Sequence, residues 1–269
     1  MAIFSSTFRS KCLDRDVEFQ VIIPNDDLSF YNNGVREYRK PKKTLYLLHG
    51  YSDCSSAWLI KGLALEVANQ YHIAIVMPTG ENSFYLDQEK TGGKYGLFIG
   101  KELVEYTRET FGLSCRKEDT LIGGLSMGGF GAIHVGLTNK DTFGGIIALS
   151  AALVISRIKG MKQGQEDGLA NYEYYHSIFG DLENVDKTTK NPEVLICQLL
   201  EEQHSVPPIY MACGTEDVLI DVNRQFYQFL CDKKIEKVKY LEEAGIHDWT
   251  FWNRNLSPAV QWVLEQMER

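Results

Sequence analysis

An α/β fold, a mostly parallel central sheet with helices on both faces, is what this sequence predicts, and three features point to it. Short, nearly continuous apolar runs at residues 44–48 (TLYLL) and 73–77 (IAIVM) have the length and composition of strands covered on both sides. Stretches with helical spacing of apolar residues separate such runs, so strand, loop and helix alternate along the chain. At residues 120–131, TLIGGLSMGGFG, a serine framed by glycines stands where an apolar strand gives way to a helix.

The 269 residues are 44% hydrophobic and 24% charged, with no linker, repeat or low-complexity tract, which predicts one domain over residues 1–269. A net charge of −8 without a basic cluster argues against nucleic acid and anionic membrane surfaces as partners. The first residues lack the pattern of a signal peptide, and no apolar run reaches membrane-spanning length, so a cytoplasmic location is expected. Six scattered cysteines form no C-x-x-C pair, so reduced thiols are expected and no metal site. Cys54 is read as a small buried filler rather than a reactive thiol.

Residues 17–24 (VEFQVIIP) alternate apolar and polar side chains, the pattern of a half-buried strand, and residues 3–8 are suited to pair with it. Residues 25–43, with Asn32, Asn33 and Gly34, read as a polar loop. After the 44–48 strand, His49 and Gly50 open a loop that leads to an amphipathic helix over about residues 57–70. His49 precedes the serine in the chain and is assigned a loop-bracing role. The 73–77 strand stops at Pro78, and the loop over 78–96 has the composition of a pocket rim. Residues 97–111 fit a helix.

In TLIGGLSMGGFG, residues 121–122 close a strand and 127–137 read as a helix. Ser126 thus occupies a nucleophile elbow, the tight strand-to-helix turn of α/β-hydrolases. Side chains at positions 124 and 128 are expected to collide with the neighbouring strand and helix. The new helix directs the Met127 N–H at a developing oxyanion, and the loop after the 44–48 strand supplies the second amide, assigned to Tyr51.

Downstream, residues 143–149 read as a strand, and 153–186 as a cap-like insertion with tyrosines at 172, 174 and 175 that are expected mainly to pack it onto the body. Residues 192–202 read as a helix and 208–213 as a strand running into GTEDVLID. Asp217 is preferred there as the acid over Glu216 and Asp221, which faces the next helix (222–231). A last strand (237–241) leads to His247, and Asp248 is better placed to cap the terminal helix than to serve as the acid. Of the six histidines, His176, His204 and His247 follow Ser126 clear of its helix, and only His247 stands in a loop after a strand and after Asp217. The order Ser126, Asp217, His247 is the order this hydrolase fold uses. Trp58, Phe84, Tyr85 and Tyr174 are candidates to line the substrate pocket.

LLHGYSDCSSAW, LIGGLSMGGFG, CGTEDVL and GIHDWTFW together resemble the esterase D and S-formylglutathione hydrolase group, with most likeness to its bacterial tributyrin-esterase-like branch. The resemblance spans nearly the whole chain. It implies an α/β-hydrolase fold, a serine carboxylesterase acting on short acyl esters, and a triad of Ser126, Asp217 and His247 with Tyr51 and Met127 as oxyanion donors. The partner is then a small-molecule ester, and the chemistry calls for no cofactor. Acetylated sugars, aryl esters and thioesters stay open as substrates, as do a peptidase, a non-catalytic binding protein on the same fold, and a homo-oligomer.

Overall fold

The computed structural model describes residues 1–25, 40–88 and 90–268. Most of the loop expected over 25–43, with Asn32, Asn33 and Gly34, lies outside the described residues. Eight strands form one sheet: β1 (Ala2–Ser10), β2 (Arg15–Ile23), β3 (Lys43–Leu48), β4 (Ile73–Pro78), β5 (Thr120–Leu125), β6 (Gly145–Leu149), β7 (Ile209–Gly214) and β8 (Val238–Glu243). Their spatial order is β1-β2-β4-β3-β5-β6-β7-β8. β1 pairs antiparallel with β2 and β2 with β4, and every other pair is parallel.

The central strands are apolar on both sides because both sides are covered, and alternate residues part to opposite layers. Tyr46, Leu48, Ile122 and Ile146 pack in one layer with Leu103 of α4 (Leu103–Phe111) and with Phe130 and Ile133 of α5 (Met127–Thr138). Leu45, Leu47, Leu121 and Ile147 pack in the other with Val67 of α2 (Ala64–Tyr71) and with Leu256, Val260 and Val263 of α10 (Trp249–Met267). Each such side chain, wholly withdrawn from water, stabilises the fold by about 1.5–3 kcal/mol before the entropy of ordering it is counted.

Two helices depart from the sequence expectation. The one read over 57–70 is split into α1 (Ala57–Ile60) and α2. At the break, Gly62 lies against the Trp58 ring, where a Cβ would meet Cε3 at 2.7 Å. The one read over 97–111 starts as α3 (Tyr95–Leu97) and passes through a wider π turn (Phe98–Glu102) before α4. The stretch over 153–186, expected as a cap-like insertion, contains two short α-helices, α6 (Ile155–Ile158) and α7 (Tyr172–Phe179). α8 (Pro192–Glu201) and α9 (Ile220–Asp232) flank β7 in the chain. Among the described residues no helix is long and apolar enough to cross a membrane.

Asp248 caps α10, accepting the Phe251 N–H at 2.9 Å, as its position in the sequence suggested. Losing such a cap costs about 1 kcal/mol. Asp248→Ala is therefore expected to lower unfolding free energy by about that amount in a urea titration, and an unchanged midpoint would show the cap to be idle.

Candidate active site

β5 ends in Leu125 and α5 starts at Met127, so Ser126 alone turns the chain from sheet to helix. Its φ of 53° and ψ of −118° lie where a residue with a side chain is strained. Three backbone hydrogen bonds hold it there. Ser126 N–H donates to Leu149 at 2.9 Å, while its carbonyl accepts from Ala152 at 2.9 Å and Phe130 at 3.0 Å. Space for the turn comes from Gly124 and Gly128. A Cβ at 128 would stand 2.5 Å from the Leu48 carbonyl oxygen, and one at 124 would run into the Gly128 carbonyl and stand 2.9 Å from Leu48 O.

The structure brings three of the predicted residues together at the C-terminal edge of the sheet, on the loops after β5, β7 and β8. His247 Nε2 lies 3.0 Å from Ser126 Oγ, and His247 Nδ1 lies 2.9 and 3.0 Å from the two Asp217 carboxylate oxygens. A carboxylate only accepts, so Nδ1 carries the proton and Nε2 is the acceptor for the serine hydroxyl. Asp217 is sealed off while the His247 side chain is 27% exposed. Burial, the largest influence on Asp217, pushes its carboxyl up. The hydrogen bond and charge of His247, the Leu219 N–H at 2.8 Å and the Ser150 hydroxyl together outweigh burial and leave it below its usual range.

Ser150 and Trp252 went unrecognised as site residues in the sequence. The buried Ser150 hydroxyl accepts from Trp252 Nε1 at 3.0 Å, and the Trp252 ring stands edge-on to His247, centroids 4.9 Å apart. One indole thus supports both Asp217 and His247. The only local signal was the HDW-x-FW run, which reads equally well as an apolar helix face. Val218 and Ile246, 71% and 52% exposed, adjoin Asp217 and His247 in the chain. Glu216 is exposed, Asp221 stands 3.9 Å from Arg224, and His204 lies 3.6 Å from Glu202. None of these alternatives replaces Asp217 or His247 beside Ser126.

Beside the serine runs the loop after β3. A Cβ on Gly50 would lie 3.6 Å from Ser126 Cβ, so this backbone passes against Ser126. His49 is buried and braces the loop. Its Nε2 accepts the Gly80 N–H at 2.8 Å, which leaves Nδ1–H to donate to the Gly50 carbonyl at 2.7 Å. Burial lowers the His49 pKa and keeps the ring neutral, as both bonds require. The Gly50 carbonyl and the Tyr51 N–H share one planar peptide, so fixing one aims the other the opposite way. Met127, the first residue of α5, has an N–H with no acceptor inside the helix.

Three of the four pocket candidates are corrected. Trp58, Phe84 and Tyr85 are fully buried and face no open cavity. Trp58 Nε1 donates to the Leu48 carbonyl at 3.0 Å, and its ring meets Trp249. Phe84 packs on Phe130 and Phe179, and Tyr85 fills the slot left by the bare Gly131, its hydroxyl donating to the His49 carbonyl at 3.0 Å. Glycines vacate space for Trp58 and Tyr85, whose polar atoms bond to backbone carbonyls, while Phe84 is held by ring contacts alone. Tyr174 alone stays half-buried at the surface, edge-on to Tyr51 with centroids 5.5 Å apart. Cys54, expected as a buried filler, is exposed, with Sγ 3.3 Å from Ser56 Oγ. Among the described residues no cluster of three or more His, Cys, Asp or Glu is arranged to hold a metal ion.

A mostly parallel eight-stranded sheet, with helices around it and a strained serine at the end of a central strand, defines an α/β-hydrolase. The chain belongs to the family described as "Putative esterase", whose model matches residues 10–263, and it is an esterase of the esterase D and S-formylglutathione hydrolase group. It is 42% identical over 265 residues to an acetyl esterase of Caldicellulosiruptor saccharolyticus, covering 98% of each chain. Among solved structures it is similar to FphF, a fluorophosphonate-binding serine hydrolase of Staphylococcus aureus (27% identity, TM-score 0.83, 98% of both chains). It is also similar to the S-formylglutathione hydrolase FrmB of the same organism (27% identity, TM-score 0.81, 98% of both chains).

The depressed Asp217 carboxyl has a consequence for stability. A carboxyl with a folded pKa below its unfolded one stabilises the fold above the unfolded value, and that contribution is lost as pH falls through the folded one. Asp217→Asn should therefore lower Tm at pH 7, with the gap to wild type closing as pH drops below about 4. A gap independent of pH would show that the charged form is not favoured. Gly128→Ala, which forces the Leu48 and His49 carbonyls to move, should destabilise by about 1–3 kcal/mol, and a wild-type Tm would contradict the close approach.

Proposed function

We propose that the protein is a serine carboxylesterase that hydrolyses short-chain acyl esters through an acyl-enzyme on Ser126. The observation that carries this reading is the line from Ser126 Oγ through His247 to the buried Asp217 carboxylate. His247 Nε2 takes the hydroxyl proton as Oγ attacks the ester carbonyl, and the imidazolium is held by Asp217. The Tyr51 and Met127 amides receive the negative charge on the carbonyl oxygen, each such donor contributing about 3 kcal/mol to the transition state. His247 then protonates the departing alcohol oxygen as the C–O bond breaks. Water, deprotonated by the same nitrogen, releases the acid and restores Ser126.

The acetyl esterase at 42% identity supports a short acyl group. A thioesterase reading rests on the similarity to FrmB, and the ratio of thioester to oxygen-ester turnover with a shared acyl group separates the two.

Ser126→Ala should reduce 4-nitrophenyl acetate hydrolysis to background while circular dichroism stays native; retained turnover would remove Ser126 from the mechanism. Across a series of 4-nitrophenyl esters, kcat/KM should be highest for short chains, and a maximum at long chains would overturn the short-acyl assignment.

A further inference from the structure

The loop that carries the Tyr51 amide is held from a direction the catalytic line does not use. Two peptide planes meet at the Tyr51 Cα. The first, Gly50–Tyr51, is fixed by His49 Nδ1–H on the Gly50 carbonyl. The second, Tyr51–Ser52, carries the Ser52 N–H, which donates to Asn82 Oδ1 at 2.8 Å. With both planes held, the dihedral angles at Tyr51 have no freedom to redirect its N–H. The hold matters because Ser52 sits at φ 65°, a left-handed conformation that a serine leaves readily when nothing retains it.

Asn82 is joined to the cap-like insertion. Its backbone carbonyl accepts the Tyr174 hydroxyl at 2.7 Å, and the Tyr174 ring stands against the Tyr51 ring. α7 therefore touches the loop twice, by a ring on Tyr51 and by a phenol on the residue that grips Ser52. Asn82 itself is exposed and packs into no core, so its role is not to fill space. Water is able to satisfy the Ser52 N–H in its place but not to set its direction.

We infer that Asn82 is a positioning residue of the oxyanion hole, and that Tyr174, through Asn82 and Tyr51, couples α7 to the aim of the Tyr51 amide. This rests on the serine-esterase reading above. It makes Tyr174 a support of the transition state and not a wall of the substrate pocket. Ground-state binding makes little use of the oxyanion donors, so loss of aim acts on kcat and leaves KM almost unchanged.

The test compares wild type, Asn82→Ala, Tyr174→Phe and the double variant with 4-nitrophenyl acetate and with a short alkyl trifluoromethyl ketone, which Ser126 converts to a hemiketal oxyanion. Asn82→Ala is expected to lose about tenfold in kcat with KM within about twofold, and to raise the ketone Ki by the same factor as it lowers kcat/KM. Tyr174→Phe, which keeps the ring, should lose less, and the double variant less than the product of the two. A folded Asn82→Ala with wild-type kcat, a rise in KM alone, or a fall in kcat with unchanged ketone Ki would each overturn the proposal. Should Asn82→Ala fail to fold, Tyr174→Phe decides, and unchanged kcat and ketone Ki there would overturn it. Equal turnover by wild type and Ser126→Ala would instead sink the serine reading itself, so the two failures are told apart.

Discussion

Everything in the site is placed relative to one strained residue. Ser126 turns the chain from β5 into α5 within a single pair of dihedral angles, and its peptide groups are tied to Leu149, Ala152 and Phe130. The conformation is over-determined, since Leu149 and Ala152 belong to the end of β6 and the residues after it and Phe130 to α5 itself, and the glycines at 124 and 128 remove the atoms that would forbid it. Two consequences follow from the same turn. The hydroxyl projects beyond the sheet edge, and the N-terminal amides of α5 point to the space beside it.

Around that point, the Asp217–His247 side and the Tyr51 side are built by different means. Asp217 and His247 come from loops after neighbouring strands, and register along β7 and β8 brings them level. Ser150 and Trp252 then set their directions, linking the end of β6 to α10. The loop after β3 has no strand to follow it immediately and depends on side chains. His49, Tyr85 and Asn82 grip its backbone in succession, and the turn over residues 80–85 supplies most of them. Both halves converge on Ser126 because β3 and β5 are adjacent in the sheet.

The central strands were legible because burial on both faces leaves an apolar run, and the chain order of Ser126, Asp217 and His247 selected three residues that the structure brings within hydrogen-bonding distance. His49 was readable as a brace from its place before the serine. What stayed hidden depends on contacts between distant segments. Phe84 and Tyr85 looked like rim residues by composition, yet the slot at Gly131 that takes Tyr85 lies some 45 residues downstream. The break at Gly62 falls where that residue stands against the Trp58 and Trp249 rings, and Gly100 within the π turn stands against Asn139. Ser150 carries no sequence mark at all, being one small polar residue whose meaning comes from Trp252, about a hundred positions away.

Intact-mass spectrometry after treatment with an alkyl fluorophosphonate, followed by peptide mapping, addresses the central claim most directly. The strained, His247-bonded hydroxyl of Ser126 should take up one phosphonyl group per chain, with esterase activity lost in proportion to the adduct. Full activity without an adduct, or an adduct mapped to another residue, would contradict the account.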